Sequence, residues 1–121
     1  MAELVTKENG YPCPACGFLT IGESMFGSYN ICPICNWEDD AVQLANPASD
    51  GGANREPLID YQDWAIKAYP LITKEARGYA RDPLWRPLNT EERKRAESER
   101  ARQRWTNGAV MSYDEAYWVV A

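Results

Sequence analysis

The chain has 121 residues, a formal net charge of −5, four cysteines and no histidine. This length predicts a single domain over residues 1–121, with room for one modest hydrophobic core. The lack of histidine excludes Ser-His-Asp and Cys-His nucleophilic sites, histidine-ligated catalytic zinc and imidazole proton relays, so we expect a protein that is not an enzyme.

The first ten residues carry charges at Glu3, Lys7 and Glu8 and have no apolar segment of the kind found in signal peptides. The chain also has no apolar run long enough to cross a membrane. We therefore expect a cytoplasmic protein with no membrane partner. In that compartment, paired cysteine turns bind metal more often than they form disulfides.

The four cysteines lie in two similar motifs, Cys13-Pro14-Ala15-Cys16-Gly17 and Cys32-Pro33-Ile34-Cys35-Asn36, here called the first and second knuckles. Two Cys-x2-Cys turns at this separation are typical of a tetrahedral site of four thiolates. The spacing predicts one structural zinc ion held by Cys13, Cys16, Cys32 and Cys35, with two disulfides as the alternative. Four thiolate ligands leave no open coordination position for chemistry.

The last residue of each knuckle is of a type that tolerates a positive φ. We expect Gly17 and Asn36 to take this conformation, which turns backbone amides toward a thiolate sulfur. Residues 17–22 and 28–31 are predicted strands, joined by a turn at 23–27. Pairing these strands would bring the knuckles together around one ion, so residues 11–45 are predicted to form a small zinc-ribbon hairpin.

Four aromatic residues lie near the knuckles in the sequence: Tyr11, Phe18, Tyr29 and Trp37. We expect them to pack about the site and keep water from the thiolates; the alternative is a platform on which a ligand stacks.

An acidic run, Glu38-Asp39-Asp40, follows the second knuckle. It favours a helix start or an acidic contact face over a second metal site or a pair of catalytic carboxylates. Residues 46–57 are rich in turn formers and are predicted to be a loop. Within it, Asp50-Gly51-Gly52-Ala53-Asn54 lacks the Lys-Ser/Thr of a phosphate loop, so we expect a tight loop whose amides bind a carboxylate or another side chain.

Residues 58–105 are predicted to be largely helical. One helix covers 58–69, with an apolar stripe that comprises Leu58, Tyr61, Ala65, Ala68 and Tyr69. A second short helix is predicted over 72–80, followed by an extended connector at 83–87. A third helix starts after Asn89 with an Asn89-x-x-Glu92 capping box and runs to about Trp105. Residues 106–121 are predicted to dock back onto the core.

These elements predict an α+β fold in which two or three helices pack on or beside the zinc-ribbon hairpin. Charge is unevenly distributed along this fold. Residues 1–60 contain two cations and nine carboxylates, whereas residues 61–121 contain eleven cations and nine carboxylates. A tetrathiolate around a divalent ion adds about two further negative charges to the first part.

An acidic first half is expected to repel nucleic acid and to attract a basic protein surface. The predicted partner-binding residues are Glu38, Asp39, Asp40, Asp50 and Asn54. The arginines of residues 90–105 share their helix with four carboxylates, which favours a solvated charged face over a nucleic-acid contact.

Three segments together resemble the bacterial cysteine-rich CPCC family: residues 11–17, residues 31–40 and Gly51-Gly52-Ala53-Asn54. The resemblance covers about residues 11–72 and extends to about residue 96. It departs at Ala15, where the family's namesake run has a third adjacent cysteine, so a redox role for that thiol is not expected here. The knuckles are also similar to those of rubredoxins, in which four cysteines hold iron.

The resemblance implies a small bacterial intracellular protein with no established activity, and some members look like neighbours of toxins. We therefore expect a non-catalytic zinc-binding module that binds a protein, most simply an immunity protein that neutralises a toxin with a basic surface. A nucleic-acid-binding zinc ribbon of the transcription-factor type and a rubredoxin-like iron electron carrier are the alternatives.

Overall fold

Within the residues that the structure describes, the regular structure consists of three helices and one small antiparallel sheet. The computed structural model describes residues 10–21 and 28–119. The helices are α1 (Ala41–Ala45), α2 (Leu58–Ala68) and α3 (Thr90–Arg102), and the strands are β1 (Glu75–Ala76) and β2 (Tyr79–Ala80). A 3-10 turn at Tyr113–Glu115 follows α3. The predicted α+β class is confirmed, while the predicted turn at 23–27 and the end of the tail lie outside the described residues.

Each knuckle is closed by a backbone bridge of its own. Tyr11 pairs with Ile21 across the first knuckle, with N···O distances of 2.7 and 3.1 Å. Ile31 pairs with Glu38 across the second knuckle. The predicted pairing of 17–22 with 28–31 is therefore wrong for the described residues. The physical reason is that the chain reverses direction sharply within each knuckle. The segment that leaves a knuckle therefore pairs with the segment that enters it.

The segment predicted as a second short helix is instead the β1–β2 hairpin. Glu75 lies opposite Ala80 and Ala76 opposite Tyr79, so the strands are joined by a two-residue turn. Arg77 and Gly78 occupy that turn with φ values of 51° and 87°. Two successive positive φ values define the hairpin turn whose twist suits antiparallel strands. The helix prediction over 72–80 is wrong because this turn stops helix propagation.

The predicted helix at 58–69 is confirmed as α2, with a different buried face. The buried residues of α2 are Leu58, Ile59, Gln62 and Ala65. Ala68, predicted to lie on the apolar stripe, is exposed. Trp64 has half of its surface exposed, at 51%. The inward face of α2 therefore includes a polar residue, Gln62, and its outward face includes a large aromatic ring.

Gln62 connects the first knuckle to the rest of the core. Its side chain is fully buried, and its Nε2 donates to the Pro14 carbonyl at 2.9 Å. Its Oε1 accepts from the Leu88 amide at 3.0 Å. The Trp85 indole also donates to the Pro14 carbonyl, at 3.2 Å. The first knuckle is thus fixed between α2 and the segment that precedes α3.

The residues after α3 return to the core. The Val110 amide donates to the Ala41 carbonyl at 3.0 Å, which places this segment beside α1. The Tyr117 hydroxyl donates to the Arg86 carbonyl and accepts from Gln62 Nε2 at 2.9 Å. Trp118 is buried, with 7% of its surface exposed. These contacts make the described tail part of the same hydrophobic core as the cysteines.

The capping box predicted for α3 is confirmed. Asn89 Oδ1 accepts from the Glu92 amide at 2.8 Å, and Glu92 Oε1 accepts from the Asn89 amide at 2.9 Å. The same Glu92 carboxylate forms two bonds to the Arg86 guanidinium, of 2.7 and 3.0 Å. The helix ends at Arg102, three residues before the predicted end at Trp105.

Glu92→Gln is expected to lower the free energy of unfolding by about 1 kcal/mol at neutral pH, because it removes a charge-assisted pair. The hydrogen bonds from Arg86 hold the pKa of Glu92 below its ordinary value. A lowered pKa in the folded protein stabilises the fold above the unfolded-state pKa and loses this effect as pH falls through the folded-state pKa. The difference between the two proteins should therefore be constant near neutral pH and shrink in acid.

Denaturant titrations at several pH values measure this difference. The matched control is Glu91→Gln, which changes the same charge in the same helical turn at an exposed position. A Glu92→Gln effect that does not change with pH would contradict the assigned role of the carboxylate charge.

Candidate metal centre

The two knuckles bring all four cysteine sulfurs together. Cys13 Sγ lies 3.6 Å from Cys35 Sγ, and Cys16 Sγ lies 3.7 Å from Cys32 Sγ. All four sulfurs lie within 4.8 Å of one another, and all four residues are buried. A disulfide has a sulfur–sulfur distance of about 2.0 Å, so the four thiols are free rather than paired in two disulfides.

The sulfur cluster fits a tetrahedral metal ion. Sulfurs bound at the usual zinc distance of about 2.3 Å lie about 3.8 Å apart, close to the observed separations. Thiolates are soft ligands that suit zinc and iron, whereas magnesium and calcium prefer oxygen. The four cysteines predicted as ligands can therefore hold a metal ion, because each of them supplies one sulfur to one of the four coordination positions.

The thiol pKa values are shifted in opposite directions within the cluster. Bonds from the other three thiols lower the pKa of Cys32, with a further contribution from Thr20. Thr20 Oγ1 donates to Cys32 Sγ at 3.0 Å, and the Ile34 amide donates at 3.4 Å. Burial raises the pKa values of Cys13 and Cys16. Several thiolates in one buried place need a cation beside them, and a bound divalent ion supplies that charge.

The positive φ predicted for the last residue of each knuckle is confirmed. Gly17 and Asn36 have φ values of 80° and 67°. The Gly17 amide donates to the Cys13 carbonyl at 2.7 Å, and the Asn36 amide donates to the Cys32 carbonyl at 2.9 Å. Their surroundings differ, because Gly17 is buried and Asn36 is exposed. A Cβ at Gly17 would lie 2.4 Å from Trp85 Cε3.

Gly17→Asn should destabilise the protein by about 1–3 kcal/mol, because any side chain there must displace the packed Trp85 ring. Asparagine tolerates the positive φ, so this change tests the close approach of Trp85 rather than backbone strain. The control is the reciprocal change, Asn36→Gly, which we expect to shift the midpoint of thermal unfolding by only a few degrees. Equal effects of the two variants would contradict the assigned contact with Trp85.

Two arginines of the hairpin region link it to both knuckles. Arg81 donates through Nε to the Cys16 carbonyl at 2.8 Å and through Nη2 to the Tyr69 carbonyl at 2.9 Å. Its Nη1 donates to the carbonyls of Pro70 and Thr73. Arg77 Nη1 donates to the Pro33 carbonyl, at 2.6 Å.

The Arg81 guanidinium also lies over an aromatic ring beside the first knuckle, 4.4 Å from the centroid of Phe18. Sequence reasoning missed both arginines because their partners are backbone carbonyls between 8 and 65 residues away, which no local pattern marks. Together they fix the knuckles relative to the hairpin.

Three of the five predicted partner-binding residues are buried and have structural roles. Asp40 caps α1 by accepting from the amides of Val42 and Gln43 at 2.9 and 3.0 Å. Asp39 is fully buried, and its Oδ2 accepts from the Ser28 amide and hydroxyl. Asn54 is also buried and forms two 2.8 Å bonds with the Glu38 backbone.

The predicted acidic face is therefore corrected. The side chains of Asp39, Asp40 and Asn54 satisfy backbone groups instead of facing a partner. Asp50 is half-exposed and forms ion pairs with Arg100 at 3.2 Å and Arg104 at 3.8 Å. Glu38 is partly buried. A partner role for Glu38 and Asp50 stays a prediction.

The helix start predicted at the acidic run is confirmed, as is the tight loop at residues 50–54. The carboxylate that the loop binds belongs to this chain, since the Ala53 amide donates to Asp40 Oδ2 at 2.9 Å. Gln43 completes the arrangement and was missed from the sequence. Its buried Nε2 donates to the Ser49 and Asn54 carbonyls, both at 3.1 Å.

The aromatic residues near the knuckles agree with the packing prediction except at one position. Phe18 and Trp37 are fully buried, and Tyr11 is partly buried. Tyr29 has 62% of its surface exposed and a φ of 61°, so its predicted packing against the site is wrong. Its positive φ turns the chain so that the ring points away from the core.

In the described parts of the chain, none of the helices has the length and apolar character needed to cross a membrane. The fold and the site define a small α+β protein whose buried four-cysteine cluster can hold a metal ion. The cysteine-rich CPCC family matches residues 11–86, which include both knuckles, α2, the hairpin and Arg81. The chain belongs to this family. No curated protein matches it.

Proposed function

We propose that this protein is a non-catalytic zinc-binding module that acts by binding a protein partner. The main observation that supports this proposal is the set of four buried sulfurs, all of which lie within 4.8 Å of one another. Four-cysteine zinc sites of this kind are structural, because they have no open position for water or substrate. In this proposal the knuckles form a zinc-ribbon-like site, and the ion stabilises the surface around it.

The residue content supports a role without catalysis. The chain has no histidine. Asp39 and Asp40, the adjacent carboxylates that could have formed a catalytic pair, bind backbone amides of this chain. The acidic composition of residues 1–60 supports a basic protein as partner.

A nucleic-acid partner has less support. Arg93 forms an ion pair with Asp63 at 2.6 Å, and Arg100 forms one with Asp50. These pairs reduce the positive charge that α3 offers to a phosphate backbone. We propose more specifically that this chain is a cytoplasmic immunity protein and that its partner is a toxin with a basic surface.

Affinity capture tests the proposal. The zinc-loaded protein is immobilised and exposed to nuclease-treated extract of the source organism, with Cys32→Ser as the matched control. We expect one discrete protein to bind the folded chain, to elute at high salt and to be absent from the control. If that partner inhibits growth when it is expressed alone, co-expression of this chain should restore growth. The same capture is repeated with extract that has not been treated with nuclease. If RNA or DNA binds from the untreated extract and no protein binds from the treated extract, the proposal is contradicted.

A further inference from the structure

A shallow pocket lies beside the second knuckle, outside the metal cluster itself. Five residues line it: Cys35, Glu56, Asp60, Tyr61 and Trp64. Its volume of about 170 Å³ is below the range of roughly 300–1,000 Å³ that is typical of sites for drug-sized ligands. A cavity of this size suits one side chain of a partner.

Two of the lining residues, Tyr61 and Trp64, are aromatic, and the Tyr61 ring is held in place by packing. The Tyr61 ring packs against the buried Trp37 ring in an edge-to-face arrangement, with centroids 5.3 Å apart. Trp64 lies three residues further along α2 and is 51% exposed. A large exposed indole beside a fixed phenol offers π surface that the fold itself leaves uncovered.

The charges around the pocket are negative. Glu56 and Asp60 are exposed, and neither forms an ion pair with any residue in 10–21 or 28–119. Cys35 belongs to the metal cluster, which carries net negative charge when four thiolates surround a divalent ion. Uncompensated carboxylates next to aromatic faces attract a cation both by charge and by the ring quadrupole.

We propose that this pocket binds the cationic side chain of a lysine or arginine presented by the protein partner. In this arrangement the cation lies against the Trp64 and Tyr61 rings, and the carboxylates of Glu56 and Asp60 face its charge. The inference rests on the proposed function, because it names the partner chemistry for a protein-binding surface. It places the partner contact away from Asp39 and Asp40, which are buried.

An NMR titration tests the pocket without the natural partner. Uniformly ¹⁵N-labelled, zinc-loaded protein is titrated with N-acetyl-lysine methylamide and N-acetyl-arginine methylamide. The neutral N-acetyl-norleucine methylamide is the control ligand. We expect saturable shifts of the Trp64 indole and of the amides of residues 56–64, with millimolar dissociation constants that increase with salt. The norleucine compound should cause shifts at least about ten-fold weaker.

Variants separate the contributions of charge and ring. Glu56→Gln/Asp60→Asn should weaken binding of the lysine compound by about ten-fold, since two carboxylates lose their charge. Trp64→Ala should weaken it by a similar factor, as read from the amides of residues 56–61. The matched control, Glu91→Gln/Glu97→Gln, removes two exposed carboxylates from α3 and should leave the dissociation constant unchanged. Zinc content and circular dichroism establish that each variant is folded.

Two results would overturn the pocket assignment: no saturable shift with either cationic compound, or equal binding of the norleucine compound. Different results would refute the pocket assignment and the proposed protein-binding role. If a captured protein partner binds Glu56→Gln/Asp60→Asn and Trp64→Ala as tightly as the natural sequence, the pocket is refuted and the binding role stands. If no protein is captured, the binding role fails while the titration still reports on the pocket.

Discussion

Cys32→Ser is expected to abolish metal binding and to unfold the protein, because the cysteines belong to the same hydrophobic core as α2 and the tail. Hydrogen bonds lower the pKa of Cys32, and its sulfur accepts from the Thr20 hydroxyl and the Ile34 amide. Structural zinc contributes on the order of 10 kcal/mol to the folding of small modules, which is comparable to the whole stability of a domain. Calorimetry should show no cooperative transition for the variant, and chelation of the natural protein should have the same effect.

The matched control for this prediction is Thr20→Val. It removes one hydrogen bond to the Cys32 sulfur and leaves all four ligands in place. A residue that only supports a ligand typically affects metal affinity by about 10- to 100-fold. We therefore expect Thr20→Val to fold cooperatively and to lose zinc to a competing chelator faster than the natural protein. A native-like melt of Cys32→Ser would show that the fold does not depend on the metal.

Arg81→Ala should lower the free energy of unfolding by about 2–4 kcal/mol. The change removes four hydrogen bonds from one guanidinium, to the carbonyls of Cys16, Tyr69, Pro70 and Thr73. Bonds from charged donors are each worth about 1.5–3 kcal/mol, and water can satisfy some of the exposed carbonyls that remain. Denaturant unfolding of the zinc-loaded protein measures the change.

Arg77→Ala is the matched control for Arg81→Ala. Arg77 belongs to the same hairpin and donates one bond, to the Pro33 carbonyl, at an exposed position. We expect it to cost less than about 1 kcal/mol. A similar loss for both variants would mean that the hairpin acts as a whole rather than through the Arg81 network.

The sequence was most informative where structure is decided locally. The cysteine cluster follows from two turns whose spacing has few other geometric outcomes, and Gly17 and Asn36 follow from the conformation that those turns require. The capping box of α3 likewise depends on residues three positions apart. These features need no knowledge of which distant elements pack together.

The failures share a different cause, which is the choice between several partners for the same residue type. An acidic run is compatible with an exposed face or with a helix cap, and the burial of Asp39 and Asp40 is decided by amides at Ser28 and Ala53. Arg77-Gly78 adopts a hairpin turn because the flanking residues pair with each other. Such outcomes depend on tertiary contacts that composition and spacing do not specify.

Metal stoichiometry shows whether the four cysteines hold one zinc ion. Native mass spectrometry and elemental analysis of the protein, isolated without added metal, give the number and identity of bound ions. We expect one zinc per chain, four cysteines that do not react with a thiol reagent until the protein is denatured, and loss of zinc in Cys32→Ser. Protein that is folded with no metal, or with iron in place of zinc, would contradict this expectation.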